Sequence, residues 1–169
     1  MNKTIKLASP LQFNSIVDGP GIRMVLWCQG CLMKCPGCHN PETHDVNGGK
    51  ECYIEDIILA MNANAKHHDG ITLSGGDPFL QPEECKYIAD YAKKDMGLNV
   101  WAYCGMTFEE LIEDPAKLEL LKSCDVLVDG RFVKNLRDSS LAFRGSSNQR
   151  IIHVQASLKK GKVILYERN

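Results

Sequence analysis

The sequence predicts an α/β fold with mostly parallel strands. Between positions 23 and 128, short runs of β-branched and apolar residues alternate with segments whose apolar residues recur at helical spacing. Strands joined by helices in this way form parallel pairs with right-handed crossovers. The chain has 169 residues, whereas a closed eight-stranded barrel usually needs about 250. An open sheet is therefore expected.

Short β-rich or apolar runs predict six strands. They are Arg23 to Trp27, Ile71 to Ser74, Leu98 to Tyr103, Asp125 to Val128, Ile151 to Val154 and Val163 to Tyr166. The first four alternate with helices and belong to the parallel part of the sheet. The polar segment Lys159-Lys160-Gly161-Lys162 separates the last two and predicts a turn. We therefore expect a C-terminal antiparallel hairpin at one edge.

Periodicity and capping patterns predict the connecting helices. One apolar stripe at helical spacing consists of Ile54, Ile57, Ile58 and Met61. A second follows Pro82, which suits a first helical position, and consists of Cys85, Ile88, Ala89 and Ala92. Thr107 with Glu110 predicts a capping box, and Asp114 before Pro115 predicts the N-cap of a further helical stretch. All three crossovers are thus expected to be helical.

Composition excludes several classes of protein. Hydrophobic residues make up 44% of the chain and charged residues 24%, which is typical of a folded globular protein. Twenty basic and 21 acidic residues give a net charge of -1, so neither nucleic acid nor an anionic membrane is expected as a partner. The longest apolar runs stop at five residues, too short for a signal peptide or a membrane span. We expect a cytoplasmic protein with a single domain spanning 1–169.

Unusual residues follow each of the first four predicted strands. These segments are a cysteine cluster, Ser74-Gly75-Gly76-Asp77-Pro78, Cys104-Gly105-Met106 and Asp129-Gly130-Arg131. In parallel α/β sheets, the loops at the carboxyl ends of the strands share one rim, where ligands bind. A binding site is therefore expected at this rim.

The cysteine cluster predicts an iron–sulfur site. Without a targeting segment, the eight cysteines are more typical of metal ligands and buried thiols than of disulfides. Structural zinc sites usually place a longer loop between two C-x2-C pairs, but only three residues separate Cys31 from Cys35. Compact cysteine runs are typical of 4Fe-4S clusters. Cys28 ends an apolar strand and is expected to point into the core, which leaves Cys31, Cys35 and Cys38 as ligands.

Several motifs resemble those of a known superfamily. The C-x3-C-x2-C spacing of residues 31 to 38 is similar to that of radical S-adenosylmethionine enzymes. Residues 18 to 23, Asp-Gly-Pro-Gly-Ile-Arg, resemble a motif of glycyl-radical activating enzymes, His39-Asn40-Pro41 its usual companion, and Ser74 to Pro78 the methionine-binding loop. Cys-Pro-Gly-Cys at 35 to 38, the short length and the segment 143 to 150 resemble features of the activating proteins of anaerobic ribonucleoside-triphosphate reductase. Two departures are Gly37, where many members have an aromatic residue, and Asp77, where glutamate is more common.

This resemblance implies an open partial (β/α) barrel, a 4Fe-4S cluster on the three cysteines, and S-adenosylmethionine as a second cofactor. The expected cofactor-binding residues are Gly37, Cys38, His39, Gly75, Gly76, Asp77, Asp129 and Arg131. The implied activity is that of an oxidoreductase that cleaves S-adenosylmethionine reductively and takes a hydrogen atom from a glycine of the large reductase subunit. A small electron-transfer protein would supply the electron. No catalytic residue beyond the cluster and cofactor is expected.

Three other functions remain open from the sequence: a ferredoxin-like electron carrier that uses all four clustered cysteines, a zinc-binding module, and an activase of another glycyl-radical enzyme such as pyruvate formate-lyase. A ferredoxin needs no Gly-Gly-Asp-Pro loop, and a zinc module would be colourless. Asp129 and Arg131 are as compatible with an ordinary solvent-exposed turn as with a binding site. Arg144 and Arg150 fit partner binding, cofactor binding and an ordinary surface position.

Overall fold

A computed structural model describes residues 3 to 38 and 40 to 166. Its strands are β1 (Thr4–Leu7), β2 (Gln12–Ser15), β3 (Arg23–Cys28), β4 (Lys50–Tyr53), β5 (Gly70–Gly75), β6 (Asn99–Tyr103), β7 (Val126–Asp129) and β8 (Arg150–His153). Its helices are α1 (Ile54–Asn64), α2 (Pro82–Met96), α3 (Phe108–Leu111), α4 (Pro115–Lys122) and α5 (Val154–Lys160). Short 3₁₀ turns complete the regular structure.

One eight-stranded sheet organises the molecule, in the order β4-β1-β3-β5-β6-β7-β8, with β2 paired to β3. The central strands β3, β5, β6 and β7 run parallel. Strands β1, β2 and β4 add antiparallel pairings on one side, and β8 adds one on the other. The predicted α/β fold, with a parallel centre and an antiparallel C-terminal addition, is confirmed.

The predicted helical stripes form the core under the sheet. Every member of the α1 and α2 stripes is at most 9% exposed. The N-terminal caps are also confirmed: Thr107 and Glu110 form a capping box, and the Asp114 carboxylate accepts hydrogen bonds from the first turn of α4. Within the described ranges, every helix is too short or too polar to cross a bilayer.

Strands β1, β2 and β4 were not predicted from the sequence. Each is four residues long, and β1 and β4 form a ladder that pairs Thr4 with Tyr53 and Leu7 with Lys50. Ile5 and Leu7 on β1 are buried, whereas β4 is mostly exposed. Short edge strands of this kind depend on cross-strand pairing, which leaves a weak local pattern.

The predicted turn at 159–162 is wrong, because residues 154–160 form helix α5. The His153 side chain accepts a hydrogen bond from the Ala156 N–H, and Gly161 ends the helix at φ +71°. Lys159 and Lys160 occupy the last turn, where their positive charges interact favourably with the helix dipole. The antiparallel pairing itself is present as a single bridge between Ile152 and Leu165.

Candidate functional site

A cavity of about 510 Å³ lies where the loops after the four parallel strands meet. This volume is within the range of small-molecule sites. Each loop contributes lining residues, among them Cys31, Cys35, Cys38, Gly75, Gly76, Tyr103, Cys104, Gly105, Gly130 and Phe132. The predicted convergence of the strand-end loops at one rim therefore holds.

The cysteine loop has a backbone that few sequences could adopt. Gly30, Lys34 and Gly37 all have positive φ, at +106°, +47° and +77°. The Cys38 N–H donates to the Cys35 carbonyl at 3.1 Å, so Pro36 and Gly37 form the centre of a tight turn with glycine at the positive-φ position. Gly37 is exposed and does not line the cavity. In the structure it shapes the turn, and its role in cofactor binding stays a prediction.

An aromatic ring nevertheless lies beside Gly37. A Cβ added to Gly37 would lie 3.3 Å from Cε1 of Phe132, and one added to Gly145 would lie 3.1 Å from its Cδ2. The Phe132 ring therefore lies close to two glycines, Gly37 and Gly145, while lining the cavity. The sequence analysis missed Phe132, because the contact joins positions far apart in the chain.

Backbone hydrogen bonds attach the cysteine loop to its neighbours. The Gly30 N–H donates to the Thr43 carbonyl at 2.6 Å, and the Asp77 N–H donates to the Gly30 carbonyl at 2.7 Å. A Cβ on Gly76 would run into the Gly30 carbonyl oxygen and would lie 2.8 Å from the Thr43 oxygen. Glycine is thus required at position 76 by close backbone approach, and both Gly75 and Gly76 also line the cavity.

The three half-buried cysteines fit a multi-iron cluster. Cys31, Cys35 and Cys38 carry free thiols and line the same cavity. Within residues 3–38 and 40–166, no three cysteine, histidine or acidic side chains meet closely enough to hold one metal ion. Thiols spread around a cavity suit a cluster, in which each thiolate binds a different iron. Burial raises the pKa of the Cys31 thiol, and bound iron would offset that cost.

Cys28 belongs to the core, as predicted. It is fully buried, and its Sγ lies 3.7 Å from Sγ of Cys85 on α2. Cys85 and Cys124 are also buried and serve as packing residues. Cys104 differs from this group because it is buried but lines the cavity. That Cys28 binds no iron stays a prediction.

The Asp77 side chain is buried and is not among the residues that line the cavity. Its carboxylate is 3% exposed, accepts the Phe79 N–H at 2.9 Å and accepts the Cys104 thiol at 3.4 Å. Burial raises the pKa of Asp77. The carboxylate therefore ties the loop after β5 to the loop after β6. Its predicted contact with the cofactor stays a prediction.

Asp129 and Arg131 line a second cavity of about 490 Å³ beside the first. The Asp129 carboxylate is 1% exposed, accepts the Phe108 N–H at 2.7 Å and forms an ion pair with Arg150 at 2.6 Å. Arg150 also pairs with Glu109, and the two carboxylates raise the Arg150 pKa. Neither Asp129 nor Arg131 lines the cysteine cavity; that they bind the cofactor stays a prediction. His39 lies outside the described residues.

The Asp18 to Arg23 motif positions one wall of the cavity. Arg23 is fully buried, and its guanidinium donates to Thr72 Oγ1 at 2.8 Å and to the Pro20 carbonyl at 3.0 Å. Burial lowers its pKa to about 10. Thr72 Oγ1 donates to the Asp18 carbonyl at 2.7 Å, and Asp18 lines the cavity. The motif is therefore held by a buried cation that bonds to neutral oxygens.

Arg144, in the segment after β7, also lines the cysteine cavity. Its Nη1 donates to the Gln149 carbonyl at 2.7 Å and the Ser147 carbonyl at 3.4 Å. These bonds fold the segment back on itself and place a positive charge on the cavity wall. The late sequence motif thus contributes directly to the site.

Comparisons with known proteins agree with this geometry. A family model described as a 4Fe-4S single cluster domain matches residues 17–152. A crystal structure of QueE from Escherichia coli has a similar fold, with a TM-score of 0.50 at 13% identity; the match covers 62% of this chain and 53% of the QueE chain. The prediction of a 4Fe-4S cluster is therefore confirmed.

Curated relatives match over most of their length. The anaerobic ribonucleoside-triphosphate reductase-activating protein of Escherichia coli (strain K12) is 38% identical over 146 residues, covering 83% of this chain and 94% of that protein. The protein of the same name from Enterobacteria phage T4 is 37% identical over 144 residues, covering 80% and 86%. The chain belongs to the family of anaerobic ribonucleoside-triphosphate reductase-activating proteins.

Proposed function

We propose that this protein activates the large subunit of an anaerobic ribonucleoside-triphosphate reductase by generating a glycyl radical on it, and that it is formally an oxidoreductase. Its cofactors are the 4Fe-4S cluster and S-adenosylmethionine, which together supply reductive carbon–sulfur cleavage and hydrogen-atom abstraction. The observation that carries the proposal is that all three cysteines, Gly75 and Gly76 line the same cavity.

The protein's own residues bind and orient the cofactors. Cys31, Cys35 and Cys38 hold the cluster and leave one iron without a protein ligand. Gly75 and Gly76 present backbone groups at the cavity wall, which suits the amino-acid end of S-adenosylmethionine. Asp77 keeps that loop in place through Cys104. Because the cofactors carry the difficult step, the chain needs no acid–base pair.

Phe132 lines the cavity, and we propose that its ring stacks on the purine of S-adenosylmethionine. Aromatic side chains stack on bases with about 1–3 kcal/mol each, so Phe132→Ala is expected to weaken S-adenosylmethionine binding about tenfold. Calorimetric titration of the anaerobic, cluster-loaded protein measures the change. Methionine, which lacks a purine, should bind the variant and the parent equally.

Two further variants make this test specific. Phe132→Tyr keeps the ring and should keep the affinity. Tyr87→Ala removes an aromatic residue that is 52% exposed on α2 and should have no effect. Equal S-adenosylmethionine affinity in Phe132→Ala and the parent protein would exclude the stacking role.

The proposed function is tested by electron paramagnetic resonance. The reconstituted protein is reduced with dithionite and mixed under strict anaerobiosis with S-adenosylmethionine and the large reductase subunit. We expect the doublet of a glycyl radical on the subunit, and backbone cleavage at that glycine after exposure to air. Consumption of S-adenosylmethionine without a radical on the reductase, but with activation of a pyruvate formate-lyase-type enzyme, would favour the other activase function. No S-adenosylmethionine cleavage by the reduced protein would contradict both.

A further inference from the structure

Three exposed cations lie in the cysteine loop and in the segment after β7 that packs against it. Lys34 lies in the loop itself, and Lys134 and Arg137 lie in the segment after β7. We call these three residues the basic face. Neither residues 31–38 nor residues 131–137 contain a carboxylate, although the whole chain has a net charge of -1. The basic face is thus a local excess of positive charge.

Lys134 lies directly against the loop that holds the cluster. A Cβ added to Gly37 would lie 3.5 Å from both Cγ and Cδ of Lys134. The lysine stem therefore covers the turn between Cys35 and Cys38, while the side chain as a whole remains exposed. This stem carries the ammonium group and lies beside the turn that joins two predicted cluster ligands.

The charges of the basic face are available to a partner. In the described part of the chain, none of the ion pairs involves Lys34, Lys134 or Arg137. The neighbouring Asp138 carboxylate instead accepts hydrogen bonds from Ser140. Exposed apolar residues lie close to the cations in the sequence: Leu32 is 68% exposed, Val133 37% and Leu136 43%. A mixture of positive and apolar surface suits a protein partner.

We propose that the basic face docks the reduced, acidic electron-transfer protein that supplies the cluster with its electron. This inference rests on the proposed function. One electron passes from the reduced flavin or iron–sulfur centre of the carrier to the cluster, and no bond is formed or broken. In the proposed function S-adenosylmethionine and the substrate glycine occupy the cavity, and none of the three cations of the basic face lines it. Electron-transfer complexes are typically small and transient, and opposite charges steer their association.

The test is a charge reversal, Lys134→Glu/Arg137→Glu, away from the cysteines themselves. Reduction of the cluster by photoreduced flavodoxin, an acidic carrier, is followed by stopped-flow absorbance. At low salt we expect the second-order rate to fall about tenfold or more, and the difference from the parent to shrink at high salt. Calorimetric titration with oxidised flavodoxin should show correspondingly weaker binding, with or without the cluster.

Controls separate this inference from the proposed function. Lys159→Glu/Lys162→Glu makes the same charge change at the end of α5 and just beyond it. Flavodoxin should reduce the cluster of this variant at the parental rate. Dithionite, a small reductant, should reduce all variants equally and drive equal radical formation on the reductase. Equal rates of cluster reduction by flavodoxin in the basic-face variant and the parent would overturn the docking site. Loss of radical formation with dithionite in that variant alone would also overturn it, by assigning the face to the reductase. Failure of the parent protein to form the radical with dithionite would instead contradict the proposed function.

Discussion

Alanine substitution of Cys31, Cys35 or Cys38 is expected to abolish the 4Fe-4S cluster and all cleavage of S-adenosylmethionine. We propose that each thiolate binds one iron. Cys104, the other cysteine that lines the cavity, donates its thiol to the buried Asp77 carboxylate and is not expected to replace a lost ligand. Iron and sulfide content after anaerobic reconstitution, together with the visible absorption of the cluster, measure the loss.

Cys28→Ala is the matched control for these variants. Because Cys28 is buried against Cys85, its removal should lower the free energy of unfolding by about 1 kcal/mol through a small cavity. The variant should keep its cluster. Loss of the cluster in Cys28→Ala, with retention in any of the other three variants, would contradict the ligand assignment and favour a fully ligated, ferredoxin-like cluster.

Gly76→Ala is expected to disrupt the cysteine loop. The added methyl group would overlap the Gly30 carbonyl oxygen and crowd that of Thr43. Both neighbours are backbone, so a side-chain rotation cannot relieve the overlap. Forced repacking of this kind costs about 3 kcal/mol of unfolding free energy. Denaturant unfolding of the cluster-free protein measures the destabilisation, and iron content after reconstitution measures the loss of the cluster.

Gly97→Ala provides the comparison for Gly76→Ala. Gly97 ends α2 at φ +65°, and a Cβ there would meet nothing within 4 Å. This variant should lose about 1 kcal/mol and keep its cluster. If Gly76→Ala were as stable as Gly97→Ala and retained full cluster content, the close backbone approach would not be the reason for glycine at position 76.

Much of the central fold could be predicted because its signals are local. Apolar runs long enough to fill a buried strand marked β3, β5, β6 and β7, and helical stripes marked α1 and α2. The edges could not be predicted equally well. β1 and β4 are stabilised by pairing with each other, and the turn expected before the last strand is the C-terminal turn of α5. In that segment, lysine and glycine are compatible with both structures, and capping by His153 together with burial of Val154 favours the helix.

The sequence by itself determined which chemistry this protein carries, because ligand spacing and strand-end motifs depend only on neighbours in the chain. Cys31, Cys35 and Cys38 have the C-x3-C-x2-C spacing. Gly75 and Gly76 follow the predicted strand Ile71 to Ser74, whose carboxyl end was expected at the same rim. Tertiary structure alone decided which charged residues are free to act there. Asp77 and Asp129 look equally suited to a ligand in the sequence, yet burial commits their carboxylates to Cys104 and Arg150. A buried carboxylate must be satisfied by whatever donors the fold brings to it, and those donors are set by long-range packing.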